Sequence, residues 1–276
     1  MRSVVCSFVA VVALGGLPEA HAGTFSSWST AGQSSLINGG NVVRLTSDVV
    51  GQSGAVWAPG SINLASIMSN QASYTEILFS FKVSGASASS SFKDGFSLML
   101  SSGKVPAFSS SFLGLSQLSN GLAFGVDPAA GKAASLQVSS VANAPTVIAA
   151  DTGVTGLNML DSTQVDAKLR VSYSTTYNSW VMSLKMRDSG ATSLWKEVGF
   201  AQFGAGIFTA PADVHVGFGA STLSGGSANF DILAFQAAAL TASPVPEPDT
   251  ATFCLLGLGL MVQSRRSANK QQARRA

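Results

Sequence analysis

The chain has 276 residues, of which 46% are hydrophobic and only 11% are charged. Six of its 16 basic residues and three of its 14 acidic residues lie in the terminal segments 1–22 and 243–276, which leaves 10 basic and 11 acidic residues between them. A nucleic-acid-binding domain needs clustered basic residues on its own surface, so this balance excludes nucleic acid as a partner. The length between the terminal segments suffices for one sizeable domain.

The first 22 residues have the pattern of a secretory signal peptide. Arg2 precedes the apolar stretch Val4–Leu17, and Ala20-His21-Ala22 supplies the small residues of a cleavage site. Such a segment directs export and is then removed, so it does not belong to the fold. We therefore expect the mature domain to begin at Gly23.

The region 23–242 is rich in Ser, Gly, Ala and Thr and shows no long helical period. This composition favours many short strands joined by turns, as in an all-β sandwich. Inward-facing apolar residues alternate with polar ones in several stretches, which is typical of strands with one wet face. Strands are predicted at Val42–Thr46, Ala55–Trp57, Glu76–Val83, Asp94–Leu100, Val214–Ala220 and Phe230–Phe235, and a loop is predicted at Gly51–Gly54.

The clearest predicted hairpin spans Ala167–Arg187, with its turn at Thr175–Ser179. Apolar residues alternate strictly with polar ones on both arms, which indicates antiparallel strands. The inward residues are predicted to be Ala167, Leu169, Val171, Tyr173, Trp180, Met182, Leu184 and Met186. On the first arm Lys168, Arg170, Ser172 and Ser174 are expected to face water.

The segment Ser243–Ala276 combines three elements. Pro246-Glu247-Pro248 is held extended and cannot donate to a β-ladder. The apolar run Ala251–Val262 follows and is predicted to form a short hydrophobic helix, although its 12 residues fall short of the roughly 20 that span a bilayer. The basic residues Arg265, Arg266, Lys270, Arg274 and Arg275 come last, and such residues stay on the cytoplasmic side of a membrane.

This order of elements resembles the PEP-CTERM sorting signal of Gram-negative bacteria. The resemblance implies that an exosortase, a membrane-embedded enzyme, recognises Pro246, Glu247 and Pro248 and processes the chain near them. It also implies a transient anchor in the inner membrane and delivery to the cell envelope or the exterior. The predicted organisation is a signal peptide at 1–22, a β-sandwich at 23–242 and a sorting signal at 243–276.

Several motifs between the terminal segments together resemble the L-type (legume-like) lectin family. They are Leu45–Asp48 with Gly51–Trp57, Asp94-Gly95-Phe96-Ser97-Leu98, Leu122–Asp127, and Val214–Thr222 with Phe230–Leu233. Their order and spacing agree with the family across about Leu36–Phe235. The resemblance implies an antiparallel jelly-roll sandwich of the concanavalin A-like type, and binding of a polysaccharide or other glycan.

The same resemblance implies which residues bind the sugar. Asp94 matches the family's sugar-binding carboxylate, and Gly95 would let a backbone N–H approach the sugar ring. The loop Leu223-Ser224-Gly225-Gly226 would shape specificity. A fixed carboxylate accepts hydrogen bonds from vicinal hydroxyls more strongly than a neutral acceptor does. Taken alone, Asp94-Gly95 is equally typical of a plain turn before a strand.

The resemblance is incomplete at the family's metal site. Asp127 matches the Asp of the metal-binding strand, but Gly125 occupies the position of the preceding Glu. The following stretch, Pro128–Val141, contains no Asp, Glu, Asn or His. Calcium takes six to eight oxygen ligands, usually including several carboxylates. We therefore expect no cofactor beyond weak calcium binding, in which Asp127 would take part.

No catalytic residue is expected. Glycoside cleavage needs a pair of carboxylates, and the core's two Glu residues, Glu76 and Glu197, each stand alone. His215, the core's one His, is interpreted as a strand residue, and Trp57, Trp180 and Trp195 are interpreted as packing residues. Three functions remain, in decreasing order of support: a non-enzymatic lectin for envelope or extracellular polysaccharide, a structural matrix protein with no working sugar site, and a glycan hydrolase.

Overall fold

The computed structural model describes residues 24–69, 73–85, 95–104, 121–127, 132–139, 146–150, 157, 159, 164–189, 194–205, 213–222 and 227–241. Within these residues the chain is almost entirely β-structure, which confirms the predicted all-β class. The chain divides into a unit of Met1–Leu240 and a unit of Thr241–Ala276, and of the second unit only Thr241 is described. The predicted C-terminal helix and signal peptide lie outside the described residues.

The strands, in chain order, are β1 (Ser29–Gly32), β2 (Ser35–Ile37), β3 (Val42–Thr46), β4 (Gln52–Trp57), β5 (Ser73–Ser84), β6 (Phe96–Ser101), β7 (Gly121–Asp127), β8 (Lys132–Ser139), β9 (Thr146–Ala150), β10 (Gln164–Ser174), β11 (Ser179–Asp188), β12 (Lys196–Gly204), β13 (His215–Thr222) and β14 (Asn229–Thr241). A short 3₁₀-helix, Asn38–Gly40, follows β2, and one turn of α-helix, α1 (Ala65–Met68), precedes β5.

The strands form two seven-stranded sheets. The first sheet has the order β1-β4-β13-β6-β7-β8-β9, and the second has the order β12-β11-β10-β5-β14-β3-β2. Half of the neighbouring pairs are consecutive strands, and the other half, such as β4 with β13, join distant parts of the chain. The chain therefore passes repeatedly from one sheet to the other. This arrangement agrees with the predicted jelly-roll sandwich of antiparallel strands.

The sequence located most central strands but misjudged several boundaries, since β5 begins at Ser73 and not at Glu76, and β14 continues past Phe235 to Thr241. The strand Val42–Thr46 is β3 with the predicted limits. The predicted loop at Gly51–Gly54 is wrong because β4 already begins at Gln52. The residues Gln52–Gly54 pair with the end of β13, where Gln52 lies opposite Thr222. A distant strand thus supplied the hydrogen bonds that made this glycine-containing stretch extended.

The predicted antiparallel hairpin is formed by β10 and β11. Ala167 lies opposite Met186 and Tyr173 lies opposite Trp180, and all eight residues predicted to face inward are buried. The turn is one residue shorter than predicted, because Ser179 already pairs with Ser174. Asn178 ends the turn in the left-handed region with φ of 48°, a conformation that Asn tolerates better than most residues.

One residue of this hairpin departs from the prediction. Lys168 was expected to face water, yet it is only 7% exposed. Its side chain lies on the outer face of the second sheet, where its Nζ atom is 4.8 Å from the centre of the Trp195 ring. Leu78 of β5 and Lys185 of β11 lie opposite Lys168 in the register. Period-two alternation therefore assigned the correct face of this side chain but not its burial.

The core lies between the sheets and is centred on aromatic side chains. Phe218 of β13 is fully buried and its ring centroid lies 5.1 Å from that of Phe79 on β5, across the two sheets. Phe96 of β6 similarly meets Phe81 of β5 at 4.5 Å. Edge-to-face and tilted arrangements dominate these pairs, as expected from the quadrupole of aromatic rings. These contacts hold the first sheet on the second.

A charge pair stabilises the outer face of the second sheet at β3 and β14. Nε and Nη2 of Arg44 each donate to one carboxylate oxygen of Asp231, both at 2.8 Å. The hydrogen bonds with Asp231 raise the pKa of the Arg44 guanidinium above its usual value. Asp231 is only 6% exposed, whereas the Arg44 side chain retains more access to water.

Replacing Asp231 with alanine should lower the free energy of unfolding by about 1.5–3 kcal/mol, the usual range for hydrogen bonds to charged groups. The cost stays below that of a fully buried pair because the partner Arg44 can still be hydrated. Urea unfolding of Asp231→Ala, Arg44→Met and the double variant would measure the coupling. Strictly additive losses would contradict a bidentate interaction.

Candidate functional site

Three strand ends meet at one edge of the first sheet. Phe96, the first residue of β6, lies opposite both Ala220 of β13 and Val126 of β7. Because β6 is antiparallel to both neighbours, it begins where β7 and β13 end. The backbone N–H of Ser221 also donates to the carbonyl of Gly95 at 3.2 Å. We call this edge the loop end of the first sheet.

The predicted sugar-binding and metal-binding residues belong to, or directly adjoin, the chain segments at the loop end. Gly95 is described and buried there. Asp94 precedes it in sequence, and Leu223–Gly226 follows the last residue of β13; both lie outside the described residues. The backbone of Asp127 ends β7 at the same edge, and its side chain is outside the description. The sorting residues Pro246, Glu247 and Pro248 are likewise outside it.

Asp48 links several segments near the loop end, and sequence reasoning gave it no role. Its carboxylate accepts a hydrogen bond from Ser227, the residue after the predicted specificity loop. Its backbone N–H donates to the side chain of Asn229 at 3.1 Å, and Asn229 in turn donates to the carbonyl of Ser84 at 3.2 Å. These hydrogen bonds therefore connect the β3–β4 loop to the end of β5 and to the residues at the start of β14.

Gly85 explains how Asp48 comes so close to the end of β5. Gly85 has a φ of 144°, and a Cβ atom there would lie 2.9 Å from the carboxyl carbon of Asp48. Only glycine accepts both this backbone conformation and this approach without strain. Gly85 immediately precedes the segment 86–94, which leads to Asp94, and Ser227 immediately follows the loop Leu223–Gly226. Asp48 therefore contacts a residue next to each of these two segments. The alternation of apolar and polar residues along the sequence does not predict such a contact between loops.

Thr222 fixes the β3–β4 loop to the end of β13. Its hydroxyl donates to the carbonyl of Val49 at 2.8 Å and accepts from the N–H of Gln52 at 3.1 Å. The side chain of Gln52 then accepts a hydrogen bond from the N–H of Ser47 at 2.6 Å. Thr222 is fully buried, so the last strand residue before Leu223 is rigidly held.

The described residues provide no group of three or more His, Cys, Asp or Glu side chains that could hold a metal ion. At the loop end, Gly121–Asp127 carries a single acidic residue, and Gly125 stands where a second carboxylate would be needed. One carboxylate does not satisfy calcium's preference for several oxygen ligands. The donors that the structure describes at the loop end therefore do not fit a tight metal site.

Two of the residues considered for catalysis, Glu76 and His215, have structural partners. Glu76 is buried and lies 3.2 Å from Arg170. His215 begins β13, as predicted for a strand residue, and its Nδ1 lies 2.9 Å from the carbonyl oxygen of Gly60. Trp57 and Trp180 are at most 2% exposed, which confirms their interpretation as packing residues. No helix among the described residues is both long and apolar enough to cross a membrane.

Comparison with known proteins agrees with this architecture. The model of the legume-like lectin family matches residues 17–245, and that of the PEP-CTERM protein-sorting motif matches residues 244–267. A search of curated proteins finds no matching relative. The sequence reasoning had pointed to both the lectin family and the sorting motif, and both are confirmed.

Solved structures show the same fold at low sequence identity. The exoplasmic/lumenal domain of VIP36 in its Ca²⁺/Man-bound form is 16% identical, with a TM-score of 0.53 over 80% of this chain and 86% of that one. The metal-free lectin I-B4 from Griffonia simplicifolia is 13% identical, with a TM-score of 0.54 over 78% and 93%. Arcelin-5, a lectin-like defense protein from Phaseolus vulgaris, is 14% identical, with a TM-score of 0.53 over 81% and 96%. The chain thus belongs to the legume-like lectin family, with a concanavalin A-like sandwich followed by a PEP-CTERM sorting motif.

Proposed function

We propose that this protein is an exported, non-enzymatic lectin that binds an envelope or extracellular polysaccharide at the loop end of the first sheet. Asp94 would accept hydrogen bonds from vicinal sugar hydroxyls, and Gly95 would leave room for the ring. The loop Leu223–Gly226 would contact the sugar's remaining substituents and select among glycans. Binding would need no tightly held metal, and Asp127 would support weak calcium binding at most.

The observation that carries this proposal is the convergence of β6, β7 and β13 at one edge. Gly95, which adjoins Asp94, is hydrogen-bonded to Ser221, two residues before Leu223, so the chain segments that lead to both are anchored side by side. Asp48 and Thr222 then fix the surrounding loops to the frame. Binding groups carried on such a rigid edge lose little conformational freedom when a ligand binds. The Ca²⁺/Man-bound VIP36 domain shares this fold.

The sorting motif supports the remainder of the proposal. An exosortase would recognise Pro246-Glu247-Pro248, and the apolar segment after it would hold the chain transiently in the inner membrane. The basic residues after the apolar segment would remain on the cytoplasmic side. The lectin domain would then reach the envelope or the exterior, where polysaccharide is available.

Replacing Asp94 with alanine should weaken glycan binding by about 100-fold or more, since two hydrogen bonds to a carboxylate each contribute about 1.5–3 kcal/mol. A glycan array would identify a ligand for the full chain, and calorimetry would compare the variants. Asp213→Ala is the matched control: Asp213 precedes β13, at the strand end opposite Thr222, where it accepts a hydrogen bond from Ser61.

Equal binding by wild type and Asp94→Ala would overturn the assigned site. No binding of any glycan by the wild-type chain would favour the alternative of a structural matrix protein on a lectin-like sandwich. Release of reducing sugar from a bound polysaccharide would instead support the glycan hydrolase.

A further inference from the structure

A small pocket opens on the outer face of the second sheet, on β10, β11 and β12. Its volume is about 170 Å³, well below the roughly 300–1,000 Å³ of pockets that enclose drug-sized ligands. It therefore suits one small chemical group carried by a longer molecule. The lining residues are Lys168, Arg170, Ser172, Val181, Ser183, Lys185, Glu197 and Phe200.

The pocket places two lysines directly opposite each other. Lys168 of β10 and Lys185 of β11 are partners in the antiparallel register, and like charges in such positions destabilise a sheet. Neither lysine forms an ion pair with an acidic residue in the part of the chain that the structure describes. The neighbouring cations differ in this respect, because Arg170 pairs with Glu76 and Arg187 pairs with Asp166, both at 3.2 Å.

Lys168 is also buried, which adds to the cost of its charge. It is 7% exposed, lines the pocket, and has the ring of Trp195 as a neighbour at 4.8 Å. The same ring lies 4.6 Å from the Arg187 guanidinium, so Trp195 covers two cations at once. A buried cation that forms no ion pair is costly, and such locally unfavourable positions are expected at functional sites.

We propose that this pocket binds the anionic group of an acidic sugar unit, a carboxylate or a sulfate, at a site separate from the loop end of the first sheet. The anion would lie between Lys168 and Lys185, neutralise their repulsion and receive charge-assisted hydrogen bonds from both.

The rest of the lining favours a sugar over a free inorganic anion. The hydroxyls of Ser172 and Ser183 offer both donors and acceptors to sugar hydroxyls. Phe200 is 51% exposed beside them, and an exposed aromatic face suits the apolar C–H face of a sugar ring. Glu197 also lines the pocket and would accept hydrogen bonds from sugar hydroxyls, although it would repel the anion itself.

The Lys168 ammonium also gives the site a dependence on pH. Burial lowers the pKa of Lys168; Glu76 opposes this effect, whereas the cations Arg170, Lys185 and Arg187 add to it. Glu197 is the acidic group that faces the pocket from β12. Since only the protonated amine attracts an anion, affinity should fall as pH rises through this lowered pKa, before an ordinary lysine at about 10.4 loses its proton.

The test uses the full chain with four probes: an oligogalacturonate, a sulfated dextran oligomer, a neutral dextran oligomer and poly-glutamate. Calorimetry should show binding of the oligogalacturonate, the sulfated oligomer or both, weakened by added salt. Lys168→Met should weaken that binding by about tenfold or more, the loss expected for one charge-assisted hydrogen bond. Lys82→Gln is the matched control, because Lys82 projects from β5 on the same face outside the pocket lining.

The outcomes separate this site from the proposed sugar site at the loop end. Asp94→Ala should retain acidic-sugar binding, and Lys168→Met should retain any glycan binding that depends on Asp94. Thermal unfolding of Lys168→Met would check that the variant is folded, and Lys185→Met offers a second, more exposed position. No binding of either acidic saccharide, equal binding by the wild type and both lysine variants, or equally Lys168-dependent binding of poly-glutamate would overturn the assignment.

Discussion

Replacing Gly54 with alanine should destabilise the fold by more than about 4 kcal/mol, a range that few single substitutions reach. Gly54 lies on β4 of the first sheet, at a point where β4 packs against β3 of the second sheet. A Cβ atom at Gly54 would lie 2.1 Å from the carbonyl oxygen of Leu45 and 2.7 Å from the backbone nitrogen of Ser34. Both of these atoms belong to the backbone, so no side chain can rotate away to make room for the methyl group.

Such a loss consumes much of the roughly 5–15 kcal/mol that stabilises an ordinary domain. We expect Gly54→Ala to give little soluble protein, and urea unfolding followed by tryptophan fluorescence would measure any folded fraction. Gly204→Ala is the matched control, since Gly204 ends a strand and a methyl group there would meet no atom within 4 Å. A Gly54→Ala variant as stable as the wild type would contradict the close contact between β3 and β4.

Replacing Phe218 with alanine should lower the free energy of unfolding by about 3–5 kcal/mol, the range for a buried aromatic side chain. Phe218 is fully buried on β13, and its ring meets Phe79, Trp28 and Phe235 at centroid distances of 5.1, 6.1 and 5.9 Å. The substitution leaves a cavity between the two sheets that neighbouring strands cannot fill without distorting their hydrogen bonds.

Urea unfolding would measure this loss, with Phe218→Leu as an intermediate case because it retains most of the buried volume. The control is Phe200→Ala, since Phe200 is half-exposed on β12 and its removal should change stability by less than about 0.5 kcal/mol. Equal losses at Phe218 and Phe200 would contradict the assignment of the core to the space between the sheets.

The sequence predicted the central strands because their hydrophobic pattern is local. The alternation in β10 and β11 predicted an antiparallel hairpin and its inner faces, and the structure confirms both. The prediction of a loop at Gly51–Gly54 was wrong because the extended conformation of Gln52–Gly54 depends on pairing with β13, which lies far away in sequence. Strand pairing of this kind cannot be deduced from a pattern within one segment.

The two candidate sites likewise combine features that the sequence predicted with features that only contacts between distant segments reveal. The resemblance to a known family pointed to the loop end of the first sheet, although alternation alone could not show that β6, β7 and β13 end together there. The roles of Asp48 and Thr222 depend on contacts between segments more than 170 residues apart in sequence. The unusual position of Lys168 opposite Lys185 could be recognised only from the register of β10 and β11 and from the Trp195 ring beside Lys168.

The contacts of Asp48 and Thr222 have a consequence for how this lectin could evolve. They fix the β3–β4 loop to the described residues that flank the segments 86–94 and 223–226. Under the proposed function, substitutions within 223–226 would alter ligand preference while these anchors preserve the supporting framework. New specificities would then arise through mutations that spare stability, whereas changes at Asp48, Gly85 or Thr222 would disturb the framework that every specificity shares.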